Sequence, residues 1–411
     1  MNGAPEGTTN GVAPTHSIVP PDSLNPPRAV FPTDETGAPD IVQTAETPKP
    51  PLRLRVAIGP LSPRERSRIL GEYSRINERR IPIQTFIRCT EQSPEGPAIH
   101  AVLETLEGSI AGHCCLVPFK MQAGRRRLTV AKAEYFFLAK EHRSRKVEGF
   151  ENVDKTATAI LLEQLYQCGS KQGWGPLLAS PGREQSVHVQ AGCQVIEFSM
   201  TECFFVLDPV RAWQWGAFLP PKQRRTLFLA GLAQRAFSSV VLPFTYDARL
   251  VTNPRIGERL PTNGSCDDGR LALAETEDFL RWRYPDDAYA RFVLSDGTPG
   301  YAIVQKGSHG EYLRVHQSHA PAKGHTSALI TELIRQADWS RALGVRWSVY
   351  GKGQEQERLI SGLRRLGFTC MPRIRRVAVY SQNPEFLAAD KWNLSDSLFT
   401  FEDLYPGVAF A

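Results

Sequence analysis

The sequence has no run of about 18 consecutive apolar residues, the length a membrane-spanning helix needs. The nearest approach, residues 227–244, is broken by Gln234, Arg235, Ser238 and Ser239, which predicts an amphipathic packed helix and no membrane span. The first residues, Met1-Asn2-Gly3-Ala4-Pro5-Glu6, lack the basic and apolar regions of a secretion signal, so the expected location is cytoplasmic. Eight cysteines include no C-x-x-C pair, which argues against structural zinc and leaves too few thiols for a disulfide framework. Cys203, inside the apolar stretch Cys203-Phe204-Phe205-Val206-Leu207, is expected to act as a small reduced hydrophobe. No Gly-x-Ser-x-Gly elbow occurs, and Gly351-Lys352-Gly353 lacks the third glycine of a dinucleotide loop. His309, His316, His319 and His325 cluster, but a strand would turn His316 and His319 to opposite faces and no carboxylate or cysteine completes a set. No metal is therefore expected.

What is present is ordinary globular composition: 411 residues, 41% hydrophobic and 22% charged, enough chain for two or three domains. The net charge of +6 is unevenly placed. Residues 1–51 carry six acidic and two basic residues, a net of −4, so residues 52–411 carry +10. A basic body suits an anionic ligand, and equally serves solubility. Basic runs such as Arg125-Arg126-Arg127 and Arg373-Ile374-Arg375-Arg376 read as solvated strand faces rather than nucleic-acid patches.

Residues 1–51 hold eleven prolines and few apolar residues, which predicts a disordered tail. From Leu52 the period-two pattern Leu52, Leu54, Val56, Ile58 predicts a strand, and Ser62-Pro63-Arg64-Glu65 opens a helix to about Ile76. Strands are expected over 99–104, 110–119 and 127–139, with turns at Glu107-Gly108 and Ala123-Gly124. A helix from Ala157 to Cys168, a strand to Ala179, a short helix and the strands 193–197 and 202–207 follow. The same succession recurs: strand 311–315, helix 326–343, strand 345–350, a helix through Leu366 and a strand 377–380. Gly182-Arg183-Glu184-Gln185 and Gly353-Gln354-Glu355-Gln356 occupy the same slot in the two rounds. The reading is an α/β (α+β) chain: tail 1–51, first domain 52–208, connector 209–269 and second domain 270–411.

Four stretches, Ile110-Ala111-Gly112-His113-Cys114-Cys115-Leu116-Val117-Pro118, Phe279-Leu280-Arg281-Trp282-Arg283-Tyr284, Leu363-Arg364-Arg365-Leu366-Gly367-Phe368 and Lys391-Trp392-Asn393-Leu394-Ser395-Asp396, stand in this order. The arrangement resembles the GNAT superfamily of acyl-CoA N-acyltransferases, specifically bacterial two-domain proteins in which both halves have that fold. The resemblance implies tandem GNAT-like folds, each a mixed central sheet flanked by helices. It also implies acetyl-CoA or another acyl-CoA as co-substrate, and a small-molecule amine acceptor, a sugar or cell-envelope precursor among them.

In that superfamily a turn of the form Gln/Arg-x-x-Gly-x-Gly/Ala after the long strand holds the pyrophosphate through backbone N–H groups. Here the matching segment, 141–154, contains one glycine, Gly149, with His142, Arg143, Arg145 and Lys146 as the groups that meet phosphate. In the second half, Pro321-Ala322-Lys323-Gly324-His325-Thr326 keeps the first glycine and has threonine for the second small residue. The resemblance makes Glu134, on the long strand beside Tyr135, the expected base for the amine, and Ser180, Ser186, His188 or Tyr350 the acid for the departing thiolate. The other reading of Lys132 and Glu134 is a solvated strand face. Two alternatives stand beside the enzyme reading: a Fem-like aminoacyl transferase using aminoacyl-tRNA, and a GNAT-fold binding protein without turnover.

Overall fold

The computed structural model describes residues 49–78, 80–181, 185–215, 221–240, 251–252, 270–274, 276–285, 289–294, 301–305, 311–319, 323–351 and 353–393. All but Lys49, Pro50 and Pro51 of the predicted tail lies outside them, as do Gly182-Arg183-Glu184, Pro321-Ala322 and Leu394-Ser395-Asp396. The chain opens with strand β1 (Arg53–Ile58) and helices α1 (Pro63–Asn77) and α2 (Ile83–Glu91). α1 starts where the sequence places it. The Ser62 hydroxyl accepts from Glu65 N while the Glu65 carboxylate accepts from Ser62 N, so two otherwise orphaned donors at the helix start are satisfied.

A meander of β2 (Ile99–Glu104), β3 (Ile110–Ala123) and β4 (Arg126–Leu138) follows, antiparallel throughout. The second turn sits one residue later than predicted: Ala123 pairs with Arg126, leaving Gly124-Arg125 as the loop, with Gly124 at φ +57°. α3 (Ala157–Lys171), capped by the Thr156 hydroxyl, crosses to β5 (Leu177–Ala179), which pairs parallel with β4. After α4 (Gln185–Gln190) comes β6 (Gln194–Val206), one continuous strand where two were expected. The sequence signal is interrupted there by Ser199 and Thr201, yet the ladder to the neighbouring strand runs through both.

Helices α5 (Pro209–Trp215) and α6 (Pro221–Val240) lie in the predicted connector. No helix of the described residues is long and apolar enough to cross a membrane. Beyond them come β7 (Val251–Thr252), β8 (Leu271–Leu273), α7 (Glu277–Arg283), β9 (Tyr289–Leu294), β10 (Tyr301–Gln305) and β11 (Tyr312–His319). The chain continues through α8 (Lys323–Trp339), β12 (Gly344–Tyr350), α9 (Gln354–Arg365), β13 (Thr369–Tyr380) and β14 (Trp392–Asn393). On α8, Leu329, Ile330, Leu333, Ile334 and Ala337 form the buried stripe that helical spacing predicts.

The sheet order is β1-β2-β3-β4-β5-β13-β6-β12-β11-β10-β9-β7. β6, from the first half, is flanked by β13 and β12, while β13, from the second half, is flanked by β5 and β6. Strands from the early and late parts of the chain thus interleave in one sheet. Three bonds mark the seam. Glu202 on β6 takes Arg346 of β12 and, at 3.4 Å, Arg373 of β13. Cys203 faces Cys370 across the β6–β13 register, and the two form a disulfide. This corrects the expectation of a reduced Cys203, because its partner lies 167 residues away and no local pattern announces it.

One apolar core also crosses between the halves. It gathers Tyr73, Phe86, Cys89, Val102 and Tyr135 with Phe279, Trp282, Tyr284, Tyr289 and Tyr350. The Trp282 indole N–H donates to the Arg88 carbonyl at 2.7 Å, tying α7 to α2.

Candidate active site

β4 and β5 run parallel and pair through Ala131↔Leu177 and Lys132↔Leu178. β5 ends at Ala179, whereas β4 continues to Leu138, so the ladder stops midway along β4. Just past that point β4 bulges. His113 faces Phe137 and Cys115 faces Glu134, so Tyr135 and Phe136 stand opposite Cys114 alone. Tyr135 absorbs the extra residue at φ +52°, a left-handed conformation that a non-glycine residue holds only under tertiary constraint. The constraint is visible: its ring is buried, 4.9 Å from Phe86 and 6.1 Å from Tyr73.

Glu134 is 3% exposed, and so is Lys132, whose ammonium donates to the Glu134 carboxylate. The solvated-face reading is therefore corrected. Residues i and i+2 of a strand share a face, and here that face is interior, so each charge is balanced by the other. Burial pushes the Cys89 thiol of α2, beside Tyr135, up to about 11 and the Tyr135 phenol above its ordinary range. Arg283, wholly buried at the end of α7, lies with its guanidinium 5.2 Å from the Tyr284 ring centre.

The remaining sequence-predicted residues fall into separate places. Tyr350 closes β12 and is 7% exposed. β12 is separated from β4 in the sheet by β5, β13 and β6. Ser180 follows β5 and is exposed, meeting Arg375 of β13 at 3.5 Å. His188 on α4 is half-buried, 3.4 Å from the Tyr166 hydroxyl, and burial lowers it to about 4.

The 141–154 segment folds back on β1. Leu52 N donates to Lys146 O and Glu148 N to Leu52 O, both at 2.8 Å, and the Arg145 Nε donates to Pro50 O at 2.8 Å. His142 stands 3.2 Å from the Arg145 guanidinium, which together with burial holds its imidazole low. Gly149, at φ +79°, gives its N–H to the Glu151 carboxylate, and Phe150 N bonds Val147 O. These backbone N–H groups are thus spent inside the loop. Arg143 and Lys146 are exposed at its surface. The segment therefore fits a polyphosphate through side-chain charge at Arg143 and Lys146, not through the backbone cradle of a glycine-rich turn.

No family model matches this sequence, and no curated protein matches it. Solved structures do. A conserved Enterococcus faecalis V583 protein of unknown function, designated a probable N-acyltransferase, superposes with a TM-score of 0.51 at 11% identity, over 79% of this chain and 71% of its own. A GCN5-related N-acetyltransferase from Anabaena variabilis ATCC 29413 gives 0.49 at 13% identity, over 80% and 73%. Saccharomyces cerevisiae N-myristoyltransferase, with bound myristoyl-CoA, gives 0.48 at 9% identity, over 82% and 85%.

The fold, a mixed sheet flanked by helices, is similar to that of the Enterococcus faecalis protein. Within it the residues that the sequence alone did not single out are Lys132, as the partner of Glu134, and Cys89, Tyr135 and Arg283. One signal for the first was in the sequence, since Lys132 and Glu134 are two apart on a predicted strand and must share a face. Nothing local announces that α2 and α7 meet over Tyr135.

Proposed function

We propose that this protein is an acyl-CoA-dependent N-acyltransferase whose site lies where β4 and β5 part, beside Glu134. The observation that supports the reading is the early end of the β4–β5 ladder next to a buried carboxylate at a bulge, in a GNAT-like fold. A strand that outruns its neighbour offers backbone groups to the amides of an extended ligand such as the pantetheine arm, as a peptide adds to a sheet edge. Arg143 and Lys146 are placed to meet the phosphates of the same molecule. Glu134 would take the proton from the attacking amine and give it up to the departing thiolate, so that the Lys132–Glu134 pair, neutral at rest, is neutral again after turnover. Acyl-CoA brings the activated thioester; the chain's part is to orient it, exclude water and move that proton.

The acceptor in this reading is a small-molecule amine, with sugar or cell-envelope precursors as the first to test. The tandem origin of the halves is part of the proposal. Besides the repeated succession, β11 bulges at His316, between the pairs Ile303↔Gln317 and Val304↔Val315, as β4 does at Tyr135. In that scheme Tyr350 occupies, at the end of β12, the place that Ala179 has at the end of β5. A second reading, a GNAT-fold binding protein without turnover, is favoured by one observation, the pinning of the 141–154 loop to β1. Thiol release from acetyl-CoA across a panel of amines separates the two. Amine-dependent release abolished by Glu134→Gln supports the enzyme; no release with any amine, from protein that binds acetyl-CoA, supports the binding protein.

A further inference from the structure

His100 on β2 and Cys115 on β3 are directly opposed in the ladder, and His113 lies two residues from Cys115 on the same strand. The three side chains share one face, and all three residues are 0% exposed. His100 Nδ1 and His113 Nε2 are 3.1 Å apart, with the rings stacked at 5.4 Å and 29°. One ligand atom from each of His100, His113 and Cys115 lies within 4.8 Å of the others. Phe86 of α2 covers both rings, its centre 6.1 Å and 6.3 Å from theirs.

The second sphere sets the tautomer of His113. Its Nδ1 is 3.1 Å from the Tyr135 carbonyl oxygen, which can only accept, so Nδ1 carries the proton and Nε2 presents a lone pair toward His100. The Tyr135 carbonyl is available because the bulge turns the backbone there. On the other ring, His100 Nδ1 donates to that lone pair and Nε2 is buried with no hydrogen-bond partner, so the Nδ1 proton moves to Nε2 when an ion takes its place between the rings.

We propose that His100, His113 and Cys115 form a binding site for a thiophilic d10 cation, zinc(II) or copper(I). Two nitrogens 3.1 Å apart can each lie ~2.05 Å from one ion at an N–ion–N angle of about 100°, close to tetrahedral. Cys115 supplies the negative charge that a buried cation requires, its thiol proton leaving to solvent as the ion enters. The donor set, two imidazoles and a thiolate, belongs to soft and borderline metals and excludes calcium and magnesium. The site differs from the one weighed on the sequence, which paired His316 with His319. It is legible only through register: a hairpin centred on Glu107-Gly108 sets His100 opposite Cys115.

The test uses the purified full chain, reduced, loaded with excess zinc(II) or copper(I) and desalted before elemental analysis. The proposal expects about one zinc or copper per chain, retained through desalting. Cobalt(II) loading is expected to give a thiolate-to-cobalt charge-transfer band, absent in Cys115→Ser and present in Cys168→Ser. Less than about a tenth of an ion per folded wild-type chain, with either metal, would overturn it. So would a charge-transfer band unchanged in Cys115→Ser. Because the first measurement needs no variant, a misfolded Cys115→Ser chain does not rescue the proposal.

Discussion

Cys203 of β6 and Cys370 of β13 stand opposite each other at the centre of the sheet, so the disulfide joins an early strand of the chain to a late one. Two consequences can be measured. Residues 49–207 or 209–411 made alone each lack a strand that the other supplies, and each is expected to be insoluble or loosely packed, with one folded complex on co-expression. Cross-linking across 167 residues removes unfolded-chain entropy equivalent to about 5 kcal/mol, so Cys370→Ser or reductant should lower the denaturation midpoint markedly. An unchanged midpoint would show that the ladder alone carries the seam, as it must in a reducing compartment.

The Lys132–Glu134 pair predicts an asymmetry. Glu134→Ala leaves a buried ammonium without its counter-charge and is expected to cost about 3–5 kcal/mol, whereas Lys132→Met combined with Glu134→Leu should recover most of that. Glu134→Gln keeps the volume and should reduce turnover ~10²–10⁴-fold if Glu134 is the base. Denaturant titration and thiol release, measured on the same three proteins, separate stability from chemistry.

Gly344 opens β12 at φ +149°, and a Cβ there would lie 1.8 Å from the Phe205 carbonyl oxygen of β6. The obstacle is backbone in the middle of the sheet, so nothing flexible can yield. Gly344→Ala is expected to destabilise the fold by about 3 kcal/mol or more, against under about 1 kcal/mol for Gly71→Ala, where nothing lies within 4 Å of the added methyl.

Burial holds His188 at about 4, below its ordinary value of 6.5. Folding therefore gains nothing from it above pH 6.5, and between pH 6.5 and 4 the unfolded chain takes up a proton that the folded chain refuses. Stability should fall with acid through that window, and His188→Gln should flatten the slope by about 1.4 kcal/mol per pH unit. A slope identical to that of the parent would place His188 in solvent.

Much of the fold was legible because the signals were local. The capping box at Ser62 and Glu65 fixed the start of α1, alternation from Leu52 to Ile58 announced β1, and α8 followed from Leu329 to Ala337 at helical spacing. The placing of β6 between β13 and β12 was not legible, since β6 reads the same whichever strands flank it. The site was half legible. Glu134 was singled out on its strand, but its burial depends on α1 and α2 covering that face, and charges at alternate positions ordinarily signal a wet one. Arg145 looked like a phosphate ligand because nothing in the sequence shows Pro50 within reach of its guanidinium.

Calorimetric titration of the full chain with acetyl-CoA tests the central claim most directly. The account predicts saturable binding of one molecule in the micromolar range, weakened about tenfold or more by replacing Arg143 and Lys146 with alanine. Absence of heat at high micromolar acetyl-CoA, from protein shown to be folded, would contradict it.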